Sequence, residues 1–156
     1  MRSLWSAHWF AFWVPAALLG GAWYSQLIWE LAPCEMCHWQ RWPHYAAVGI
    51  ALLALFVRAH VARRALVSLA ALCIAMSGAI GIFHAGVEYG WWEGLTRCTA
   101  PAGGSLEDIM SAPLTRCDVA PWDLFGISLA GYNAIVSLLA AGLILTLLRR
   151  ARVVQP

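Results

Sequence analysis

Charge is scarce in this sequence. Lysine is absent from the 156 residues and only 12% of them are charged, whereas 62% are hydrophobic. The mean hydropathy is +0.67. A soluble domain of this length could not bury that much apolar surface, so the composition excludes an ordinary soluble protein and favours one embedded in a lipid bilayer. The formal net charge of +2 gives no reason to expect a nucleic-acid partner.

Long apolar runs are what the sequence has instead. Because a helix needs roughly 20 residues to cross the hydrocarbon, the runs predict an all-α membrane protein, a single four-helix transmembrane bundle over residues 1–156. The predicted spans are approximately residues 9–29, 42–57, 65–87 and 124–148. No small-x-small cleavage site follows the first run, so we do not expect a cleaved signal peptide. Ser77 and Gly81, four apart in the third span, predict close helix contact.

The arginines predict the orientation of the bundle. Seven of the ten lie at the two termini or in the second connection (Arg2, Arg58, Arg63, Arg64, Arg149, Arg150 and Arg152). All eight acidic residues lie in or beside the first and third connections, at about residues 30–41 and 88–121, with Asp123 two residues beyond the second range. The positive-inside rule therefore predicts cytoplasmic termini and two outer loops. A capping-box pattern at residues 105–108 further predicts a short amphipathic helix in the second outer loop.

Four of the five cysteines fall in these outer loops, namely Cys34, Cys37, Cys98 and Cys117. Disulfides persist outside the cytoplasm, so an even number there favours two disulfides over four thiols. Three pairings are possible, and Cys34 with Cys37 and Cys98 with Cys117 is the natural one because each pair shares a loop. A pair three residues apart closes too small a loop to stabilise much, so Cys34 and Cys37 are interpreted as redox-active. Cys73 is interpreted as an apolar packing residue.

Other interpretations of these cysteines remain open. The run Cys34-Glu-Met-Cys37-His38 matches the attachment motif of c-type haem, which would make the protein a small membrane cytochrome with His38 as axial ligand. Haem would leave Cys98 and Cys117 unexplained. A non-catalytic membrane protein with structural disulfides is a third possibility. We expect no metal site, since Cys98 and Cys117 have no second close pair to complete one.

Several short motifs together resemble a known family. They are Cys34-x-x-Cys37 with Gln40-Arg41, His84-Ala-Gly86-Val-Glu88, Trp91 or Trp92 with Gly94 before Cys98, Cys117-Asp118, Trp122, Phe125-Gly126-Ile127-Ser128-Leu129 and Tyr132-Asn133. In this order and with this topology, the chain resembles the disulfide bond formation protein B (DsbB) family of bacterial inner-membrane thiol:quinone oxidoreductases.

The resemblance implies an electron relay on the periplasmic side of the inner membrane. A reduced thioredoxin-like partner (DsbA) would attack the Cys98–Cys117 disulfide, forming a mixed disulfide with Cys98 and releasing Cys117. Electrons would pass to Cys34 and Cys37, and then from Cys37 to a quinone from the membrane pool, either ubiquinone or menaquinone. Disulfide formation in secreted proteins is the process that such an enzyme supports.

Two further residues are expected at the quinone. An arginine at a membrane interface is costly without an anion, so Arg41 is predicted to stabilise charge at the quinone and the thiolate, with a lipid phosphate as the alternative partner. His84 lies level with the cysteine pair and is predicted on the quinone side, with a packing role as the alternative. Trp39 and Trp42 are further candidates for lining the quinone pocket, and Glu88 for orienting His84 or Arg41.

Overall fold

The computed structural model describes residues 2–96 and 115–153 and shows a bundle of four helices. Their bounds are Arg2–Ile28 (α1), Glu35–Phe56 (α2), His60–Glu88 (α3) and Leu129–Val153 (α4). Each helix packs against two neighbours in the circular order α1, α2, α3, α4, and α1 also meets α3 across the bundle. The predicted all-α class is confirmed, apart from one short β-hairpin that precedes α4.

Two of the described helices are long and apolar enough to span a membrane. An 18-residue stretch of α3 has a mean hydropathy of 2.3, and an 18-residue stretch within Leu129–Ala151 of α4 has a mean hydropathy of 1.9. α1 has 27 residues but carries four tryptophans, Trp5, Trp9, Trp13 and Trp23, a residue type that favours the membrane–water interface. Spans in α1 and α2, and the cytoplasmic placement of both termini, stay predictions.

Small residues bring the helices close together. The larger core cluster is mostly alanine, and Ser77 and Gly81 of α3 lie against α4. A Cβ atom added to Gly81 would come within 3.0 Å of the Ala130 carbonyl oxygen. The predicted close helix contact at Ser77 and Gly81 is therefore confirmed. A second, smaller core cluster contains Cys34, Met36, Val87 and Cys117, and it marks the end of the bundle where the cysteines meet.

A hairpin occupies the beginning of the predicted fourth span. Strands Asp123–Leu124 (β1) and Ile127–Ser128 (β2) pair antiparallel, joined by Phe125 and Gly126 with φ of 52° and 75°. Two central residues of positive φ are the geometry of a tight two-residue hairpin turn. Helix α4 therefore begins only at Leu129, five residues later than the apolar run suggests.

Tyr89 ties this hairpin to the end of α3. Its hydroxyl donates to the Gly126 carbonyl oxygen (3.0 Å) and accepts from the Ser128 N–H (2.9 Å). These bonds hold the chain that follows Cys117 over the end of α3. The predicted amphipathic helix at residues 105–108 and Cys98 both lie outside the described residues.

Gly86 leaves room for an indole ring on the surface of α3. A Cβ atom at this position would overlap the ring of Trp92. That ring stacks on Phe83 with centroids 6.0 Å apart, and its Nε1–H donates to the Phe83 carbonyl oxygen (2.8 Å). The Trp92 side chain thus covers the last turns of α3, next to His84.

We predict that Gly86→Ala lowers the free energy of unfolding by about 1–3 kcal/mol, because Trp92 must leave its position. Thermal unfolding in detergent measures the effect. Gly142→Ala is the matched control, since a Cβ atom there meets nothing within 4 Å. Equal stability of Gly86→Ala and the wild type would contradict this packing role.

Candidate redox site

The Cys34-x-x-Cys37 pair lies at the beginning of α2. Cys34 is the N-cap residue, and its Sγ accepts the backbone N–H of Cys37 (3.3 Å). The two Sγ atoms lie 2.9 Å apart. One helical turn therefore brings the sulfurs together, as the spacing of the two cysteines predicts, and both side chains are largely shielded from solvent.

The two thiols differ in acidity. A hydrogen bond from the Cys34 S–H lowers the pKa of Cys37, and the charge of Arg41 lowers it further. The same shared hydrogen, together with burial, raises the pKa of Cys34. Cys37 is therefore the more acidic thiol of the reduced pair and the better leaving group when the Cys34–Cys37 disulfide is opened, while Cys34 keeps its proton.

Cys117 meets this pair from a distant part of the chain. Its Sγ, the Cys34 Sγ and a ring nitrogen of His84 all lie within 4.8 Å of one another. Cys117 is fully buried and disulfide-bonded, and its predicted partner Cys98 lies outside the described residues. This trio has the spacing of a metal site, but metals bind thiolates, and the Cys117 sulfur is part of a disulfide. The arrangement is suited to thiol–disulfide exchange instead.

His84 lies between the sulfurs and the interior of the bundle. Its Nε2 is 3.5 Å from the Cys34 Sγ and 3.7 Å from Oε1 of Glu88. Its Nδ1 accepts the side-chain N–H of Gln40 (2.7 Å), so the hydrogen of the neutral ring is on Nε2, facing Cys34. The predicted contact between Glu88 and His84 is thus present. The ring also lines the cavity described next, so its position allows both a thiol-side and a quinone-side role.

A cavity of about 360 Å³ opens beside the cysteine pair. Its walls are mainly apolar and aromatic residues of α1 and α4, and its polar lining includes Cys37, Arg41, His84 and Glu88. The predicted lining by Trp39 and Trp42 is wrong. Both side chains are exposed, because α2 turns them away from the bundle, and the cavity is lined by other aromatic residues: Tyr24, Trp29, Trp122 and Tyr132.

Arg41 is held at the cavity by α1. Its guanidinium donates to Oε1 of Gln26 (2.8 Å) and to the Ala22 carbonyl oxygen (3.2 Å), and it lies 5.7 Å from the centre of the Trp23 ring. Only 8% of the residue is exposed. None of these partners is anionic, so the positive charge remains available to an anion or a carbonyl oxygen in the cavity.

Sequence reasoning missed a buried polar network that forms part of the cavity wall. It joins Gln40 and His44 of α2 to Ser77 of α3 and to Asn133 and Ser137 of α4. A signal for part of it was available: Cys37, Gln40, Arg41 and His44 follow the spacing i, i+3, i+4, i+7, which places them on one helix face. The partners on α3 and α4 are separated from α2 by 33 to 93 residues and are brought together only by packing.

The position of His38 does not favour haem attachment. The side chain is exposed, and it is not among the residues that line the cavity. A bundle whose C-x-x-C pair lies next to an arginine, a cavity and a further disulfide sulfur has instead the arrangement of a membrane thiol oxidoreductase.

Comparison with known proteins gives the family. The sequence matches the family described as disulfide bond formation protein DsbB over residues 4–147, and the chain belongs to this family. It is similar to an uncharacterized protein of Rickettsia prowazekii (strain Madrid E), with 29% identity over 138 residues that cover 81% of this chain and 79% of the relative. No solved structure matches. The protein is therefore a membrane oxidoreductase of disulfide bond formation.

Proposed function

We propose that the protein oxidises a thioredoxin-like dithiol carrier of the DsbA type and passes the two electrons to a membrane quinone. The observation that carries this proposal is the approach of the Cys117 sulfur to Cys34, within 4.8 Å, while the cavity is lined by Cys37. One thiol pair accepts electrons from outside, and the other delivers them into the cavity.

The first exchange consumes the disulfide in the second loop. A thiolate of the partner attacks Cys98 of a Cys98–Cys117 disulfide, which forms a mixed disulfide and releases Cys117 as a thiolate. Cys117 then attacks the Cys34 Sγ of the Cys34–Cys37 disulfide, and Cys37 leaves. Its lowered pKa favours this step, since a more acidic thiol leaves faster.

The relay is reset by two further exchanges. The second thiol of the partner attacks the mixed disulfide and releases Cys98, and the partner leaves oxidised. Cys98 then attacks Cys117 of the Cys34–Cys117 bond, restores its own disulfide and releases Cys34. The result is a reduced Cys34–Cys37 pair that carries two electrons and two protons, and Cys37 loses its proton more readily than Cys34 because its pKa is the lower of the two.

The residues around the cavity fit a quinone ring. The walls are apolar, Arg41 offers N–H donors, and the lining includes two buried side-chain atoms that have no partner among the described residues, Nδ1 of His44 and Oε2 of Glu88. A bound quinone would supply an acceptor for two electrons and two protons. Arg41 stabilises negative charge on the Cys37 sulfur and donates to a carbonyl oxygen, while Cys34 holds its proton on Sγ until Cys37 has given up its electrons.

The arginine distribution supports the placement of this site on the outer side of the bacterial inner membrane. Arg58, Arg63 and Arg64 lie at the α2–α3 connection, whereas Cys34, Cys37 and Cys117 lie at the opposite end of these helices. That end faces the periplasm, the compartment in which newly secreted proteins acquire disulfides.

We predict that the purified protein reduces quinone only when a reduced DsbA-type protein is supplied, and forms one partner disulfide for each quinone consumed. Quinone absorbance and thiol titration measure the two quantities. The matched control is Cys73→Ser, which removes a thiol from the middle of α3 and leaves the stoichiometry and the rate unchanged. Absence of partner-dependent quinone loss would overturn the proposal. A Soret band that survives acid–acetone extraction would instead identify c-type haem.

A further inference from the structure

His44 is almost fully buried, with 3% of the residue exposed, and it lines the cavity. Its Nδ1 has no hydrogen-bond partner among the described residues. A buried ring nitrogen without a partner is costly unless a ligand or a water satisfies it. The chemistry of that ligand depends on whether Nδ1 carries a hydrogen, and the surrounding network decides this.

A backbone carbonyl oxygen fixes which groups of the network donate and which accept hydrogen bonds. Nε2 of Gln40 lies 3.3 Å from the Met36 carbonyl oxygen, which only accepts, so the amide N–H of Gln40 points there and towards His84. The Gln40 oxygen must then accept, and it does so from Nδ2 of Asn133 (2.8 Å). Nδ2 of Asn133 also donates to the Ser77 carbonyl oxygen (3.2 Å), a second backbone acceptor that requires the same amide orientation.

This orientation turns the Asn133 oxygen towards His44. Oδ1 of Asn133 lies 2.9 Å from Nε2 of His44 and can only accept. The hydroxyls of Ser77 and Ser137 also approach Nε2, at 2.9 and 3.4 Å, but they donate elsewhere, to the Gln40 carbonyl oxygen and to Asn133 Oδ1. Nε2 of His44 therefore carries the hydrogen, and the Nδ1 of the neutral ring presents a lone pair.

We propose that Nδ1 of His44 accepts a hydrogen bond from a hydroxyl group of the reduced electron carrier, and so favours the hydroquinone over the quinone in this cavity. The inference rests on the proposed function, because it assigns a role towards the acceptor proposed there. A quinone has only carbonyl oxygens, which cannot donate to Nδ1, whereas a hydroquinone has two O–H donors. Burial of the His44 ring disfavours its charged form, so the ring is neutral.

The consequence for the reaction is a stronger bound oxidant. If the site binds the reduced form more tightly than the oxidised form, the bound couple is easier to reduce by the ratio of the two affinities. A tenfold ratio corresponds to about 30 mV for a two-electron couple. Arg41 and His44 thus have complementary roles. Arg41 donates a hydrogen bond to a carbonyl oxygen of the oxidised carrier, and His44 accepts one from a hydroxyl group of the reduced carrier.

The test compares decylubiquinone with its hydroquinone by direct binding to the purified, detergent-solubilised protein. We expect His44→Phe to weaken hydroquinone binding about tenfold, the value of one buried hydrogen bond, and to change quinone binding less than twofold. Tyr45→Phe is the matched control on the next residue of α2, whose side chain does not line the cavity, and it should leave the ratio of the two affinities unchanged.

A second measurement needs no variant and keeps the test valid if His44→Phe fails to fold. In the wild-type protein labelled with ¹⁵N-histidine, the resonance of the unprotonated Nδ1 should move upfield on addition of the hydroquinone and stay in place with its dimethyl ether, which lacks both O–H donors.

The outcomes separate this inference from the proposed function. If both carriers bind but the affinity ratio is the same in His44→Phe and wild type, or if the Nδ1 resonance does not respond to the hydroquinone, the role of His44 is wrong and the proposed function stands. If neither carrier binds the wild-type protein, the proposed function fails together with the inference.

Discussion

Replacement of Cys37 by serine is expected to stop turnover and to trap the protein with a disulfide between Cys34 and Cys117. A serine hydroxyl cannot form or accept a disulfide, so electrons can no longer reach the cavity and the rate should fall by at least about a thousandfold. The bond should form by exchange, since the Cys117 sulfur lies within 4.8 Å of the Cys34 sulfur: the Cys34 thiolate attacks Cys117 of the Cys98–Cys117 disulfide, and Cys98 leaves as a thiol. Peptide mass spectrometry of the oxidised variant, without reductant and before any reduced partner is added, measures the trapped species.

The reciprocal variant checks the order of the exchanges. Cys34→Ser should be equally inactive, but it should not accumulate a disulfide between Cys37 and Cys117, because Cys34 is the residue that meets Cys117. Cys73→Ser should accumulate neither species. A disulfide between Cys37 and Cys117 in Cys34→Ser, formed with the same yield as the disulfide trapped in Cys37→Ser, would mean that the order of the relay is wrong. Normal turnover of either serine variant would refute the relay as a whole.

Replacement of Arg41 by alanine is expected to lower kcat/KM for quinone by about a hundredfold, the usual effect of losing one charged donor at a site of developing charge. The guanidinium lines the cavity together with Cys37 and has only neutral partners, so its removal leaves the thiolate without its cation. Steady-state kinetics with varied quinone at saturating partner protein measures the loss, while the KM for the partner should stay within about twofold of wild type.

Gln26→Ala separates the charge of Arg41 from its packing. It removes the hydrogen bond to the guanidinium (2.8 Å) but keeps the cation. Because the lost partner is neutral, we expect kcat/KM for quinone to fall by at most about fivefold. The pH dependence of Cys37 alkylation in the reduced protein gives a second readout. The thiolate is lost as the pH falls through its lowered pKa, and Arg41→Ala should move this midpoint to higher pH. An unmoved midpoint together with an unchanged kcat/KM for quinone would show that Arg41 has no role at the site.

The sequence allowed most of the site to be predicted because its chemistry is local. The C-x-x-C spacing at the beginning of a helix is enough to predict that Cys34 and Cys37 meet, and Arg41 is one turn further along the same face. The contact of His84 with Cys34 is less local. The motif around His84 predicted it as a site residue, but a single sequence could not show that its Nε2 lies 3.5 Å from the Cys34 sulfur, since α2 and α3 must pack in one particular register for this contact.

The fold was predictable to a similar degree. Apolar runs predict helices well, because roughly 20 consecutive apolar residues have few other ways to satisfy their backbone in a bilayer. Helix ends are less predictable, since they depend on turn geometry. The apolar run from residue 124 predicts one continuous helix. Phe125 and Gly126 instead adopt positive φ, and the hydroxyl of Tyr89 holds the resulting hairpin. Neither feature follows from hydropathy.

By itself the sequence determined a helical membrane protein with a reactive cysteine pair, because composition and residue spacing act over one or two helical turns, and the order of its motifs added the resemblance to a family of thiol oxidoreductases. Only the tertiary structure decided how the parts work together. It brought Cys117 to Cys34, built a cavity against Cys37 and Arg41, and fixed the hydrogen on His44 through partners on three helices. The physical reason is that hydrogen-bond direction and sulfur contact depend on atoms up to 93 residues apart in the chain, and packing alone sets those distances.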